Sequence, residues 1–362
     1  YIDFETPYSA YVALGGDGWS VQLGRDLLSW GSGRSGNLII GDHLDYHDFF
    51  SFKSFHPNFD YQFLTVFIDY PGWDESGTDP RGEVPSAGVK AFLAHRLGFR
   101  FWDIFSLSVS ENVMYQHDFY DLRYFNPAYI FHNFNNREMF NAIASLELDV
   151  AVLPGVALYG QFALDQARAP NENSSQPDAM GYLAGVDLTI PLSRGYLIGG
   201  LEVVYNDPYL YQRDLIDFKI SRRQFTAIGG SFSTYRDFLG YRYGGDVQVF
   251  DLMLGYREPM TGELLFGYRS IIHGDITVDS EVAGPGQYDT PEDPTPHGDT
   301  PELRDIISLE GSLAITSLLN WKGLVDISAN FGLYYITVEN AGNIVSEAVS
   351  DLQFNAGLTI SL

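Results

Sequence analysis

The last twelve residues of the chain alternate without a break. Leu352, Phe354, Ala356, Leu358, Ile360 and Leu362 are apolar, whereas Asp351, Gln353, Asn355, Gly357, Thr359 and Ser361 are polar or small. Period two sends successive side chains to opposite faces of a strand. A run this long exceeds the five or six residues usual for a soluble strand and matches the roughly 9 to 11 residues that a tilted strand needs to cross hydrocarbon. The pattern recurs where Ile327, Ala329, Phe331, Leu333 and Tyr335 alternate with Asp326, Ser328, Asn330, Gly332 and Tyr334, and where Tyr182, Ala184, Val186, Leu188 and Ile190 alternate with Gly181, Gly185, Asp187 and Thr189. In a membrane barrel the polar sets line a wet lumen and the apolar sets face lipid.

Working back from the C-terminus, the same reading predicts strands near 305–318, 263–273, 247–257, 231–236, 218–228, 196–205, 180–190, 156–166 and 141–153, and further ones near 103–114, 89–101, 60–70, 48–55, 19–28 and 8–14. Short connections fall at Gly15 to Gly18, Pro154-Gly155, Pro191 to Gly195, Gly229-Gly230, Pro259 to Gly262 and Leu319 to Gly323; long ones fall at 167–179, 206–217, 237–246, 274–304 and 339–350. Short periplasmic turns alternating with long outer loops are the pattern of an outer-membrane barrel. The count is about seventeen, which leaves Tyr1 outside the cell, whereas bacterial single-chain barrels have an even number of strands with both ends periplasmic. One more strand is therefore expected, upstream of Tyr8 or before Tyr1. The expectation is an all-β, transmembrane antiparallel β-barrel of about 18 strands (16–18), forming a single domain over 1–362, with a signal peptide or N-terminal segment upstream.

Composition removes most other classes. No apolar stretch approaches the ~18 residues of a membrane-spanning helix. There is no Cys, so disulfide scaffolds, zinc–thiolate sites and thiol nucleophiles are excluded. With 21 basic and 47 acidic residues the formal charge is −26, which repels a polyanion and argues against nucleic acid as a partner. No repeat of 20 to 50 residues, GxSxG elbow, phosphate loop or dinucleotide fingerprint is present.

Two blocks resemble the capsule-assembly Wzi family. The first is LGRDLLSWGSGRSGNLII at 23–40, a Gly-Arg followed by Trp-Gly-x-Gly and a small polar and aliphatic run. The second is ENVMYQHDFYDLRYFNP at 111–127, followed by Asn141-Ala142 and LYGQFALDQ at 158–166. The resemblance spans roughly 20 to 166. It implies a barrel of about eighteen strands that holds capsular polysaccharide at the cell surface as a lectin. The chain departs from the family in showing no helical stretch for a periplasmic plug bundle and in carrying a strongly acidic outer loop.

Several residues are candidates for a site. Trp30 to Gly36, with Arg25 and Arg34, lies in a predicted outer loop. Glycines there allow close backbone approach, Trp30 offers a face for a sugar ring, and the arginines can donate forked hydrogen bonds to a uronate or phosphate. The alternative is a lumen-plugging turn whose residues satisfy wall carboxylates. Arg25 shares the apolar parity of Leu23 and Leu27, so a bulge or a rim position is expected. Glu111, Asn112, Asn126 and Asn141 could converge with Arg25 or Arg123 as a hydrogen-bonding ring, or form a structural network behind an inward loop. The acidic loop, with Asp289, Glu292, Asp293 and Asp299, could hold Ca2+, although its charge and its Pro and Gly content favour a solvated loop. His43 and His47, near Asp42, Asp45 and Asp48, share one face only if helical, and the HExxH motif is absent.

These observations lead to a non-enzymatic, Wzi-like surface or scaffold barrel with no cofactor. Its expected partners are outer-membrane lipid and lipopolysaccharide, a surface polysaccharide and other envelope proteins. The alternatives are a porin-like channel for small cationic or neutral hydroxylated solutes and, more weakly, an outer-membrane hydrolase.

Overall fold

The computed structural model describes residues 8–68, 88–128, 140–166, 178–212, 216–226, 231–280, 295–319 and 326–361. Almost all of its regular structure is strand. In chain order these are β1 (Ala10–Gly16), β2 (Trp19–Asp26), β3 (His47–His56), β4 (Phe59–Ile68), β5 (Val89–Phe101), β6 (Phe105–His117), β7 (Phe140–Leu153), β8 (Val156–Gln166) and β9 (Ala179–Leu192). They continue with β10 (Gly195–Asn206), β11 (Lys219–Thr226), β12 (Ser231–Phe238), β13 (Val247–Glu258), β14 (Gly262–His273), β15 (Glu302–Ala314), β16 (Asp326–Glu339) and β17 (Val349–Ser361).

Fifteen strands form one antiparallel wall in which every neighbour is the next strand in sequence, except that β10 pairs directly with β13. The period-two expectation holds: on β10, Leu201, Val203 and Tyr205 point outward, whereas Glu202, Val204 and Asn206 are buried on the inner face. Short turns join strands at one end of the wall and long connections at the other. Strands β11 and β12 correct the sequence reading. They pair only with each other, as a separate hairpin within the long connection between β10 and β13. The short turn expected at Gly229-Gly230 lies outside the described residues, and the connection from β10 to β13 as a whole starts and ends at the long-loop end.

The wall curls into a barrel that is not closed. Strands β1 and β17 are its two edges, and among the described residues neither has a partner on its free side. Fifteen consecutive antiparallel strands make the first and last run in the same direction, so these edges cannot pair antiparallel with each other.

Two long connections fold inward and fill much of the curl. Residues 27–46, from β2 to β3, bury Trp30, Leu38, Ile40 and Leu44; residues 207–246 bury Leu210, Tyr211, Phe218, Leu239 and Tyr241. The two segments share one apolar core with inward wall residues such as Phe92 and Val249. They are also joined by backbone, since Gly41 N–H donates to Leu239 O at 2.9 Å and the Tyr211 hydroxyl donates to Leu38 O. Burying each large side chain contributes about 1.5–3 kcal/mol. The inner faces of β1 and β17 lie beyond the reach of this plug and stay exposed.

A third connection stays outside the barrel. Residues 118–128 lie against the outward face of β4 to β7, where they cover Phe63, Leu93, Val113 and Tyr115. Phe125 stacks on Phe67, Tyr115 hydroxyl donates to Phe119 O at 2.6 Å, and Tyr61 hydroxyl donates to Pro127 O.

Candidate functional site

The tip of the 27–46 loop crosses from its root beside β2 and β3 to the opposite wall. Tight geometry brings it there: Gly31 has φ +115°, and a Cβ on Gly33 would collide with the backbone oxygen of Gly36. Only glycine tolerates either demand cheaply. At the tip, Glu202 on β10 is fully buried and accepts from four donors. Its Oε2 takes the N–H of Arg34 (2.7 Å) and the hydroxyl of Tyr159 (2.9 Å); its Oε1 takes the N–H of Ser35 (2.8 Å) and the Ser35 hydroxyl.

The Arg34 side chain extends along the wall. Its Nε donates to Asp251 on β13 at 2.7 Å, and Nη1 reaches Asp187 on β9 at 3.3 Å. Arg269 on β14 donates to the other oxygen of Asp251 at 2.7 Å, so one buried carboxylate holds two guanidiniums. Behind the tip, Gln161 on β8 accepts the Leu38 N–H at 2.9 Å and donates to Asn37. Paired, hydrogen-bonded charge of this kind avoids the cost of an isolated buried ion. Arg34 thus takes the wall-carboxylate role, with its donors committed to the protein. Trp30 is packed in the core, and the Arg96 guanidinium lies 5.7 Å from its ring centroid.

The expected polar ring is not formed. Glu111 and Asn112 are successive residues of β6 and so stand on opposite faces, with Asn112 inward and Glu111 outward beside His95. Asn112 is buried and donates to Ile143 O at 2.9 Å; Asn141 donates to Ile216 O of the plug at 2.8 Å. Arg123 and Asn126 lie in the outside strap, where Arg123 pairs with Asp121 and Asn126 accepts from Ala128 N–H. Arg25 sits near the long-loop end of β2 in unbroken register. It is directly opposite Asp48, with which it forms a two-pronged ion pair at 2.7 and 2.8 Å. The rim position is the one realised, without a bulge.

Of the acidic loop residues, Asp289, Glu292 and Asp293 fall outside the described residues, and Asp299 is exposed. His43 and His47 are not on a helix; His43 turns to Phe238 O at 3.1 Å and to Asp237 at 3.5 Å. Burial opposes the charge on Asp237, but hydrogen bonds from His43 and Tyr235 outweigh it and hold its carboxyl below the usual range. Asp246, Asp275 and His297 do cluster, but internal bonds occupy them. Asp246 accepts the N–H of His297 at 2.7 Å and of Ile276 at 3.0 Å, while the His297 ring is paired with Asp275. Burial raises the Asp246 carboxyl, and it pushes that of Asp207 up to about 6.

Two cavities flank the plug. One, of about 270 Å³, opens at the long-loop end between the 237–243 segment and the tops of β14 and β15. Phe238, Tyr243 and Val278 give it apolar surface, Arg242 and Arg304 give it donors, and Asp237 and Glu302 also line it. The Nε atoms of both arginines are buried without a hydrogen-bond partner among the described residues. The other cavity, of about 340 Å³, lies on the opposite side of the loop against β2 to β5. Sequence reading singled out Trp30 and Gly31 of the second cavity but missed the rest of both, because those residues come from segments far apart in the chain.

No protein-family profile matches the chain, and no curated protein matches it. Solved structures do. One is Wzi, described as an outer membrane protein involved in group 1 capsule assembly in Escherichia coli and a carbohydrate-binding β-barrel. It superposes with a TM-score of 0.60 at 15% identity, over 97% of this chain and 69% of that one. A variant of OccD1 (OprD) gives a TM-score of 0.42 at 11% identity, over 95% and 75%. A Pseudomonas aeruginosa FadL homologue gives 0.32 at 10%, over 91% and 79%. The chain has the fold of an outer-membrane β-barrel.

Proposed function

We propose that this chain is a non-catalytic, Wzi-like barrel of the outer membrane that binds envelope glycan at its long-loop end and does not work as an open diffusion channel. The observation that carries the reading is the inward loop anchored across the lumen by Glu202 and Asp251. A loop fixed by four donors on one carboxylate and two guanidiniums on another is built to stay. It leaves the outward cavity as a concave feature at the long-loop end. That cavity combines aromatic and aliphatic surface with fixed donors, the mixture by which pockets hold hydroxylated ligands. The likeness to Wzi supports the same reading at the level of the fold.

The test is retention of purified protein on immobilised envelope polysaccharide, together with conductance in a planar bilayer. The reading expects retention that falls in Arg242→Gln and Arg304→Gln, and few or no stable conducting steps. Steady, cation-selective steps with no glycan retention would instead favour the porin-like channel.

A further inference from the structure

We propose that the cavity beneath the inward loop is a second binding site, for a sugar-sized ligand that carries a carboxylate. It is distinct from the outer pocket and does not depend on what that pocket binds. Strand register builds its floor: Lys53 on β3 is directly opposite Gln62 on β4, which is directly opposite Arg96 on β5. Neighbouring strands lie about 4.8 Å apart, so the rung sets two cations roughly 10 Å apart with an amide between them. All three side chains point into the lumen, and Lys53 and Gln62 are each three residues from the short-turn ends of their strands.

The charges are unequally matched. Arg96 is held by Glu147 through Nε and Nη2, at 3.2 and 2.7 Å, which leaves Nη1 for another acceptor. Asp60 is engaged by Arg100 at 3.1 Å and acts on the Lys53 ammonium only from a distance, without an ion pair. Lys53 makes no ion pair or hydrogen bond with any described residue. Asp26, the carboxylate lining the cavity, is six residues further along the sheet than Ser20, the register partner of Lys53. At about 3.3 Å per residue that is roughly 20 Å away, too far to neutralise the ammonium. Gln22 and the margin of Trp30 complete the lining. A volume of about 340 Å³ is at the small end of ligand pockets and suits one or two sugar rings. A carboxylate would sit on Lys53 and the free Arg96 nitrogen, with hydroxyls on the glutamines.

The experiment is calorimetric titration of the purified, detergent-solubilised protein with glucuronic acid and with its uncharged amide. Saturable binding of the acid is expected, at least about tenfold tighter than the amide. Lys53→Gln should erase that difference, Lys53→Arg should keep it, and Arg304→Gln in the outer pocket should leave it unchanged. Equal affinity for acid and amide on the unaltered protein, or no saturable binding of either, overturns the proposal without relying on any variant. So does a folded Lys53→Gln protein that still prefers the acid. If the preference for the acid is lost in Arg304→Gln instead, the outer pocket is the site and this inference fails.

Discussion

Replacing Glu202 by Gln changes one atom and should loosen the inward loop by a predictable amount. Both carboxylate oxygens accept from a backbone N–H, Ser35 on Oε1 and Arg34 on Oε2. The amide nitrogen of Gln must take one of those places, and in either orientation it presents a donor to a donor. The Ser35 and Tyr159 hydroxyls can turn and accept, but the peptide N–H cannot. One charge-assisted bond is lost and one buried donor is left unsatisfied, costing about 3 kcal/mol. That corresponds to roughly a hundredfold larger open population of the loop. The absence of native cysteine makes the assay clean. Leu38, 1% exposed in the loop, is changed to Cys as a reporter, and its alkylation rate is measured with and without Glu202→Gln. Leu122→Cys, in the exposed strap, serves as the control. When opening is fast relative to alkylation, the rate tracks the open population. The Leu38→Cys rate should rise about a hundredfold while the control is unchanged. A change within about threefold would mean that the buried carboxylate does not anchor the loop, and the reasoning would be wrong.

Other perturbations should separate the parts of the molecule. Gly33→Ala forces a methyl against the Gly36 carbonyl and should expose the same reporter to alkylation, with a loss of stability of about 2 kcal/mol or more in urea unfolding. Because burial lifts Asp207 from 3.8 to about 6, the folded state binds its proton more tightly than the unfolded chain does. Stability should therefore fall as pH rises from about 4 to 6 and then level off, by on the order of 1–2 kcal/mol once partial exposure is allowed for. Asp207→Asn should flatten that part of the profile in denaturation measured at pH 4.5 and 7; an unchanged slope would assign it elsewhere. Tyr61→Phe with Tyr115→Phe removes two hydroxyls that hold the outside strap, and cleavage of 118–128 by added protease should accelerate about tenfold or more, from about 1 kcal/mol for each bond.

The wall was readable because period two is a property of neighbouring residues, and the twelve- to fourteen-residue strands carry it in full. The same local character explains the misplaced hairpin. Read locally, β11 and β12 look like two more wall strands, and their length of eight residues does not set them apart, since β1 and β2 have seven and eight. Connection lengths then miscounted the short-turn end. The Gly-rich segment around Arg34 announced a loop that comes close to something, and the structure supplies what it approaches. Glu202, Asp251 and Gln161 could not be singled out, since a polar residue on lumen parity is the ordinary case. Lys53 and Arg96 lie 43 positions apart and become neighbours only through β4, so register, not spacing, makes them a site.

The strap at 118–128 makes the barrel's circumference uneven. Along β13 to β17 the outward rows of Leu254, Phe266, Leu309, Phe331 and Phe354 are bare, while the flank of β4 to β7 wears a layer of its own chain. An irregular backbone laid over an apolar face finds no hydrogen-bond partners in that face, so the strap's carbonyls depend on side chains of the wall. The Tyr61 and Tyr115 hydroxyls serve the carbonyls of Pro127 and Phe119 in this way. The wall therefore presents two unlike flanks, one of bare apolar rows and one faced by its own irregular chain.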